Sequence, residues 1–372
     1  MTDGRTMETR KIQQVSGGTY TVSLPSDWVQ SEGISRGDTV GLHAHIDGLL
    51  VVQPPDRGVE STGSVSITLD SDDTEQVTQI LVAAYTAGHT EITLTARDEF
   101  TSSLRRVVRE TTSVLAGATV TTVSPQTIQI RVPLDSEEIS VRQLVRQLSF
   151  LAVSMHQRAM AAVSADQPDC DLVGREDQAD RLFALTKRSF TRALFRLGEV
   201  DSLGVTRPEL FELWATARNL ERVADHAERI GTIARRVDDP SDDDDTVALH
   251  RLARRSQAVV DTAVRGVVDD EERDTVPKAL ALRDRVRESV SKLDRRLFGD
   301  ASADYRLTRI LDSVRRTAEH GGNIAEWGLQ RWIRRCDDSS LNWSDPASAA
   351  TTPPESSTES DVTPSESSAE DD

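Results

Sequence analysis

The stretch Glu221-Arg222-Val223-Ala224-Asp225-His226-Ala227-Glu228-Arg229-Ile230 returns in altered form as Arg315-Arg316-Thr317-Ala318-Glu319-His320-Gly321-Gly322-Asn323-Ile324. Arg, Ala, His and Ile coincide, and an acid precedes the histidine in both copies, so this part of the chain is an internal duplication. Around the first copy, Leu213, Ala217, Leu220, Ala224, Ala227, Gly231 and Ala234 recur at alternating intervals of three and four, a helical seam whose small residues allow a second helix to come close. The same period runs onward from Ser136 and predicts six helices, near 136–163, 175–200, 207–237, 246–268, 277–298 and 303–335. Aspartate-rich breaks at 238–245 and 269–274 separate the third, fourth and fifth. Six helices carrying one duplication make an all-α pair of three-helix bundles, residues 136–237 and 246–336.

Toward the N-terminus the period changes to two. Tyr20, Val22 and Leu24 alternate with Thr19, Thr21 and Ser23, the pattern of a half-buried strand. Strands are expected over 10–15, 19–24 and 40–52, with Pro25 opening a short helix over 26–31. Residues 1–55 form a unit too small to bury much surface alone, so a partner chain is expected. A polar linker, 56–63, leads to a small α/β module over 64–133: strands around Val65 to Leu69 and Ile92 to Leu94, helices over 74–87 and 99–115, and a hairpin over 119–123 and 127–132. Within these units His89 reads as a solvated loop residue, and His43 with His45 as one exposed strand face. Residues 337–372 hold Ser, Thr, Pro, Asp and Glu with almost nothing apolar, the composition of a disordered acidic tail.

The formal charge is −18, and that tail alone contributes ten acids and no base. Only Lys11, Lys187, Lys278 and Lys292 are lysine among 44 basic residues. Abundant carboxylate with scarce lysine suits a halophilic cytosol, where screening lengths fall to about 3 Å at molar salt, so acidity does not exclude a nucleic-acid partner. With no apolar run of 18 residues and no secretory leader pattern, the expected location is cytoplasmic, without membrane insertion. Cys170 and Cys336 stand in no paired spacing, which argues against a disulfide framework or a thiolate zinc site. Without a nucleophile–base pair, a glycine-rich phosphate loop or zinc spacing, the reading is not an enzyme.

The string from Glu221 to Gly231 resembles the signature helix of the PhoU family of phosphate-uptake regulators, here of an archaeal, halophilic kind, over residues 136–335. That resemblance implies duplicated three-helix bundles, control of phosphate transport or signalling, and carboxylates that hold polynuclear metal clusters. Carried onto this chain, the ligands in the first bundle are Glu221 and Asp225, with Asp177 and Asp180 on the preceding helix. Hard oxygen donors suit magnesium, manganese or oxidised iron, so a divalent or iron-type cation is the implied cofactor. Intrahelical pairing offers a second account of the same acids, since Arg218, Arg222 and Arg229 lie three or four residues from Glu221 or Asp225. In the second bundle Arg315 replaces Glu221, and Arg287 stands where the first has Asp180, so salt bridges are expected there. His226 and His320 read as metal ligands or as packed, hydrogen-bonded residues.

The run Arg10 to Pro25, followed by Gly33-Ile34-Ser35-Arg36-Gly37-Asp38-Thr39-Val40, resembles a SpoVT/AbrB-type DNA-binding domain. The resemblance implies a swapped-hairpin β-barrel made by two chains. A two-fold dimer would double Arg10, Lys11 and Arg36 against symmetric half-sites, with Thr19, Tyr20 and Ser23 positioning on the backbone of double-stranded DNA. The joint expectation is a homodimeric, DNA-binding transcription regulator that couples phosphate status to phosphate uptake. The alternative is an adaptor that modulates a phosphate transporter ATPase or sensor kinase, its N-terminal barrel serving only for dimerisation.

Overall fold

The structure, a computed structural model, describes residues 9–15, 17–54, 63–164, 172–235, 244–269, 274–299 and 304–335. The expected linker, both cysteines and the acidic tail fall on positions outside these, apart from Gly63 at the linker's end.

The N-terminal unit is two small antiparallel hairpins flanking one helix turn: β1 (Gln13–Gln14) with β2 (Tyr20–Thr21), α1 (Ser26–Ser31), then β3 (Gly41–Ala44) with β4 (Leu50–Gln53). Helix α1 follows Pro25, as the sequence predicts. The single strand expected over 40–52 is instead a hairpin, because Gly48 at φ +82° closes a turn on the carbonyl of His45. The half-buried pattern of β2 is likewise corrected: Tyr20 is 66% exposed in the single chain.

The α/β module follows the predicted order: β5 (Ser64–Leu69), α2 (Thr74–Thr86), β6 (Glu91–Ala96), α3 (Ser102–Val114), β7 (Thr119–Val123) and β8 (Thr127–Arg131). Its sheet runs β5-β6-β8-β7, the first pair parallel and the others antiparallel. Asp73 caps α2 by accepting the Glu75 and Gln76 amides, and Leu81, Tyr85, Leu94, Leu104 and Ile130 fill the space between sheet and helices.

Helices α4 (Val141–Ala161), α5 (Val173–Phe195), α6 (Leu197–Ser202), α7 (Arg207–Ala234), α8 (Asp244–Val268), α9 (Thr275–Gly299) and α10 (Tyr305–Arg335) complete the described residues. The second predicted helix is in fact two. Arg196 takes an extended conformation (φ −126°, ψ 102°) between α5 and α6 and turns Glu199 back onto Arg192. Residues 136–138 form a 3-10 turn before α4, whose start is set by Ser140 capping the Gln143 amide. Helices α4, α5 and α7 make one bundle and α8, α9 and α10 the other, yet a single hydrophobic core runs through both. The duplicated helices α7 and α10 pack on each other, and α8 lies against α10 so closely that a methyl at Gly321 would meet Val259 at 2.8 Å and the Val260 backbone nitrogen at 2.9 Å.

Candidate functional site

Arg10, Lys11, Thr19, Tyr20, Ser23 and Arg36 are all exposed. The first hairpin divides them: Arg10, Lys11 and Ser23 belong to its open end, Thr19 and Tyr20 to its turn end, and Arg36 comes after α1. The same unit carries uncovered apolar side chains, with Ile12 71%, Leu42 63% and Leu50 59% exposed. Among the described residues of 9–54 the only buried one is His45. This unit therefore has no interior of its own.

Burial of His45 corrects the expected exposed face, and its cause lies far away in sequence. His45 Nδ1 is 3.2 Å from Asp201 Oδ1 on α6, and the Ile46 amide donates to the same oxygen at 3.2 Å. Next to it Arg207, at the start of α7, donates through Nε (3.1 Å) and Nη2 (2.9 Å) to Asp47 Oδ2. The Asp47 carboxyl is held below its usual range by this guanidinium and the Leu49 amide, which outweigh its partial loss of water. Two polar contacts thus clasp the β3–β4 turn to the helical block. Neither was legible in sequence, since no local pattern joins residues some 155 positions apart.

The predicted carboxylates gather where α5 faces α7. Burial first, then Asp225, pushes Glu221 up to about 7 despite Arg222 at 3.5 Å. Burial, then Glu228 and Asp180, pushes Glu176 up to about 7 as well. Asp180 is raised by loss of water and by Asp225 and Asp177. Asp225 has a partner, Arg222 at 2.9 Å, while Asp177 is exposed. Intrahelical pairing therefore reaches Asp225 and, at 3.5 Å, Glu221, but among the described residues Glu176 and Asp180 face only other acids; Glu228 shares the helix face that the sequence places beside the groove, and Glu176 is the member the sequence reading missed. The donors have the hard-oxygen chemistry of a cation site, but among the described residues no group of three or more His, Cys, Asp or Glu stands in a metal-holding arrangement. In the second bundle Arg315 pairs with Asp312 (2.5 Å) and Glu319 (3.6 Å), as expected, while Asp284 pairs with Arg283 (3.0 Å) rather than with Arg287.

Both repeat histidines meet at the α7–α10 contact, rings 5.6 Å apart. His320 Nδ1 lies 3.1 Å from Asn219 Oδ1, which also accepts from Asn323 at 3.2 Å, and burial followed by His226 lowers His320 to about 4. Both rings are packed, and His320 is hydrogen-bonded. His89 departs from the solvated reading: it is half-buried, its carbonyl accepts from Arg188 at 2.9 Å, and burial followed by Arg188 lowers its ring.

Two family models match the chain. One, described as antidote-toxin recognition MazE, bacterial antitoxin, covers residues 13–60, a span that includes both N-terminal hairpins. The other, the PhoU domain, covers residues 145–234, the first bundle with its carboxylate cluster. Both families are regulatory rather than enzymatic. No curated relative matches the chain. Among the described residues, no helix is long and apolar enough to cross a membrane.

Proposed function

From a chain that joins a MazE/AbrB-like domain to a PhoU domain, we propose a DNA-binding transcription regulator that couples phosphate status to phosphate uptake. One observation carries the reading. The N-terminal hairpins leave Ile12, Tyr20, Leu42 and Leu50 open to water, which a second copy would cover, and that pairing would set Arg10, Lys11 and Arg36 of both chains on one molecule. The partners proposed are thus a second copy and double-stranded DNA, met in the cytoplasm.

Signal passes from the helical block through the clasp. Asp201 and Arg207 hold the β3–β4 turn, so a change in the position of α6 or α7 alters how the hairpins can pair and what DNA they accept. The carboxylates Asp177, Asp180, Glu221 and Asp225 enter this reading as the place for a divalent or iron-type cation, supported by four acids on two facing helices with Arg222 as the cation paired to two of them. Elemental analysis of wild type and of Glu221→Ala with Asp225→Ala tests that part; equal trace metal in both removes the cation.

The test of function is binding of the full chain to DNA upstream of phosphate-transport operons, in low and in molar KCl, with random DNA as control. A sequence preference that falls when Arg10, Lys11 and Arg36 become Ala supports the regulator. Equal binding to random DNA leaves the adaptor of a transporter ATPase or sensor kinase.

A further inference from the structure

Three arginines, Arg188, Arg192 and Arg196, recur every fourth residue along one face of α5 and its cap. Arg188 is 1% and Arg192 8% exposed. A guanidinium withdrawn from water demands acceptors and opposite charge, and here both fall short. Arg188 Nη1 donates to the carbonyls of Tyr85 (2.6 Å) and His89 (2.9 Å), its plane 4.9 Å over the Tyr85 ring. Arg192 donates to Glu199 through Nε at 3.1 Å and through Nη2, and Arg196 Nη1 is 3.7 Å from the same carboxylate, which Ser136 Oγ also reaches. Among the described residues Glu199 is thus the one carboxylate in contact with the cluster. Asp135, nearby, is exposed and caps the Glu137 amide at 3.1 Å.

Three donors are left over: Arg188 Nη2, Arg192 Nη1 and Arg196 Nε are buried and have no acceptor. Arg192 and Arg196 open onto a cavity of about 520 Å³ that Ser136, Ser202 and the carboxylates Asp135 and Glu199 also line. We infer that this cavity binds a phosphate-type oxyanion, either inorganic or carried as a phosphoryl group on a larger molecule. Guanidinium forks match phosphate oxygens two by two, and an anion here would meet Arg192 and Arg196, each with a donor that lacks an acceptor, while Arg188 behind them adds positive charge without lining the cavity. The volume exceeds a bare phosphate ion and falls in the range of small-molecule sites.

Glu199 and Asp201 ride on the same short helix, α6, the first inside the arginine cluster and the second on the β3–β4 turn. An incoming anion competes with Glu199 for the same guanidinium groups, so it draws on the helix that holds the clasp. That consequence rests on the regulator reading above; the binding itself does not.

Titration calorimetry on the full chain, in low and molar KCl, with inorganic phosphate, pyrophosphate and ATP as separate probes, tests the site. The expected result is saturable binding of at least one probe, one per chain, weakened about tenfold or more by Arg196→Gln and by Arg192→Gln. Glu199→Gln removes the internal competitor and is expected to tighten binding, a sign that a merely structural role would not produce. Should Arg192→Gln fail to fold, the half-buried Arg196 decides alone. Absence of binding by all three probes, or equal binding by wild type and Arg196→Gln, overturns the site. Binding with unchanged DNA affinity keeps the site and removes the coupling.

Discussion

Replacing Glu221 by Gln keeps the side chain's shape and removes its charge, which makes the carboxylate cluster testable through stability. Burial and Asp225 raise the Glu221 carboxyl from 4.5 to about 7, which converts to at most about 3 kcal/mol. Shared protons within the cluster and water at its rim reduce this to about 1–2 kcal/mol. The sign is fixed by linkage: a carboxyl that holds its proton more tightly in the folded chain contributes stability that is full below pH 4.5 and is lost as the pH rises through about 7. Gln behaves as the permanently protonated form. Wild type and Glu221→Gln are therefore expected to melt together at acid pH, while the variant gains roughly 2–8 °C at mildly alkaline pH in chelator, taking about 2–4 °C per kcal/mol for a block of this size. Calorimetric melts across that range are the assay. A variant no more stable than wild type on the alkaline side would show that Arg222 already neutralises Glu221, and the account of an uncompensated cluster would fail.

Asp201→Ala removes the acceptor of the Ile46 amide; at about 1.5 kcal/mol for a hydrogen bond to a charged group, hydrogen exchange at Ile46 should accelerate about tenfold, and unchanged protection would mean the clasp does not hold in solution. Gly321→Ala drives a methyl into the α8 backbone and is expected to cost ~1–3 kcal/mol in denaturant melts. Gly322→Ala should cost less, because the atoms it meets are the flexible Arg283 side chain, and the reverse order would contradict the packing. Ile12→Ser with Leu42→Ser should shift sedimentation toward monomer, since both apolar side chains, 71% and 63% exposed, are offered to the second copy; an unchanged sedimentation profile would count against that pairing.

Most helices and the α/β module were readable because their signals are local. The seam from Leu213 to Ala234 and the glycine and aspartate breaks between elements act within a few residues, whereas the start of α4 at Val141 rather than 136 is set by Ser140, a cap the sequence reading passed over. The carboxylate site was half readable. Glu221, Asp225 and Glu228 share a face of α7 as a matter of spacing, but Glu176 joins them only because α5 lies across α7. The break at Arg196 was missed for the same reason: its local sequence continues a helix, and the turn is held by Glu199 reaching back to Arg192.

By itself the order of residues determined the element types, the duplication and the two regulatory resemblances, since these depend on periodicity and short motifs. Only the tertiary structure decided that His45 is buried, that Asp201 and Arg207 hold the hairpin, and that three arginines face one carboxylate. Burial and charge balance are set by groups distant along the chain, and no window of sequence contains both sides of such a contact.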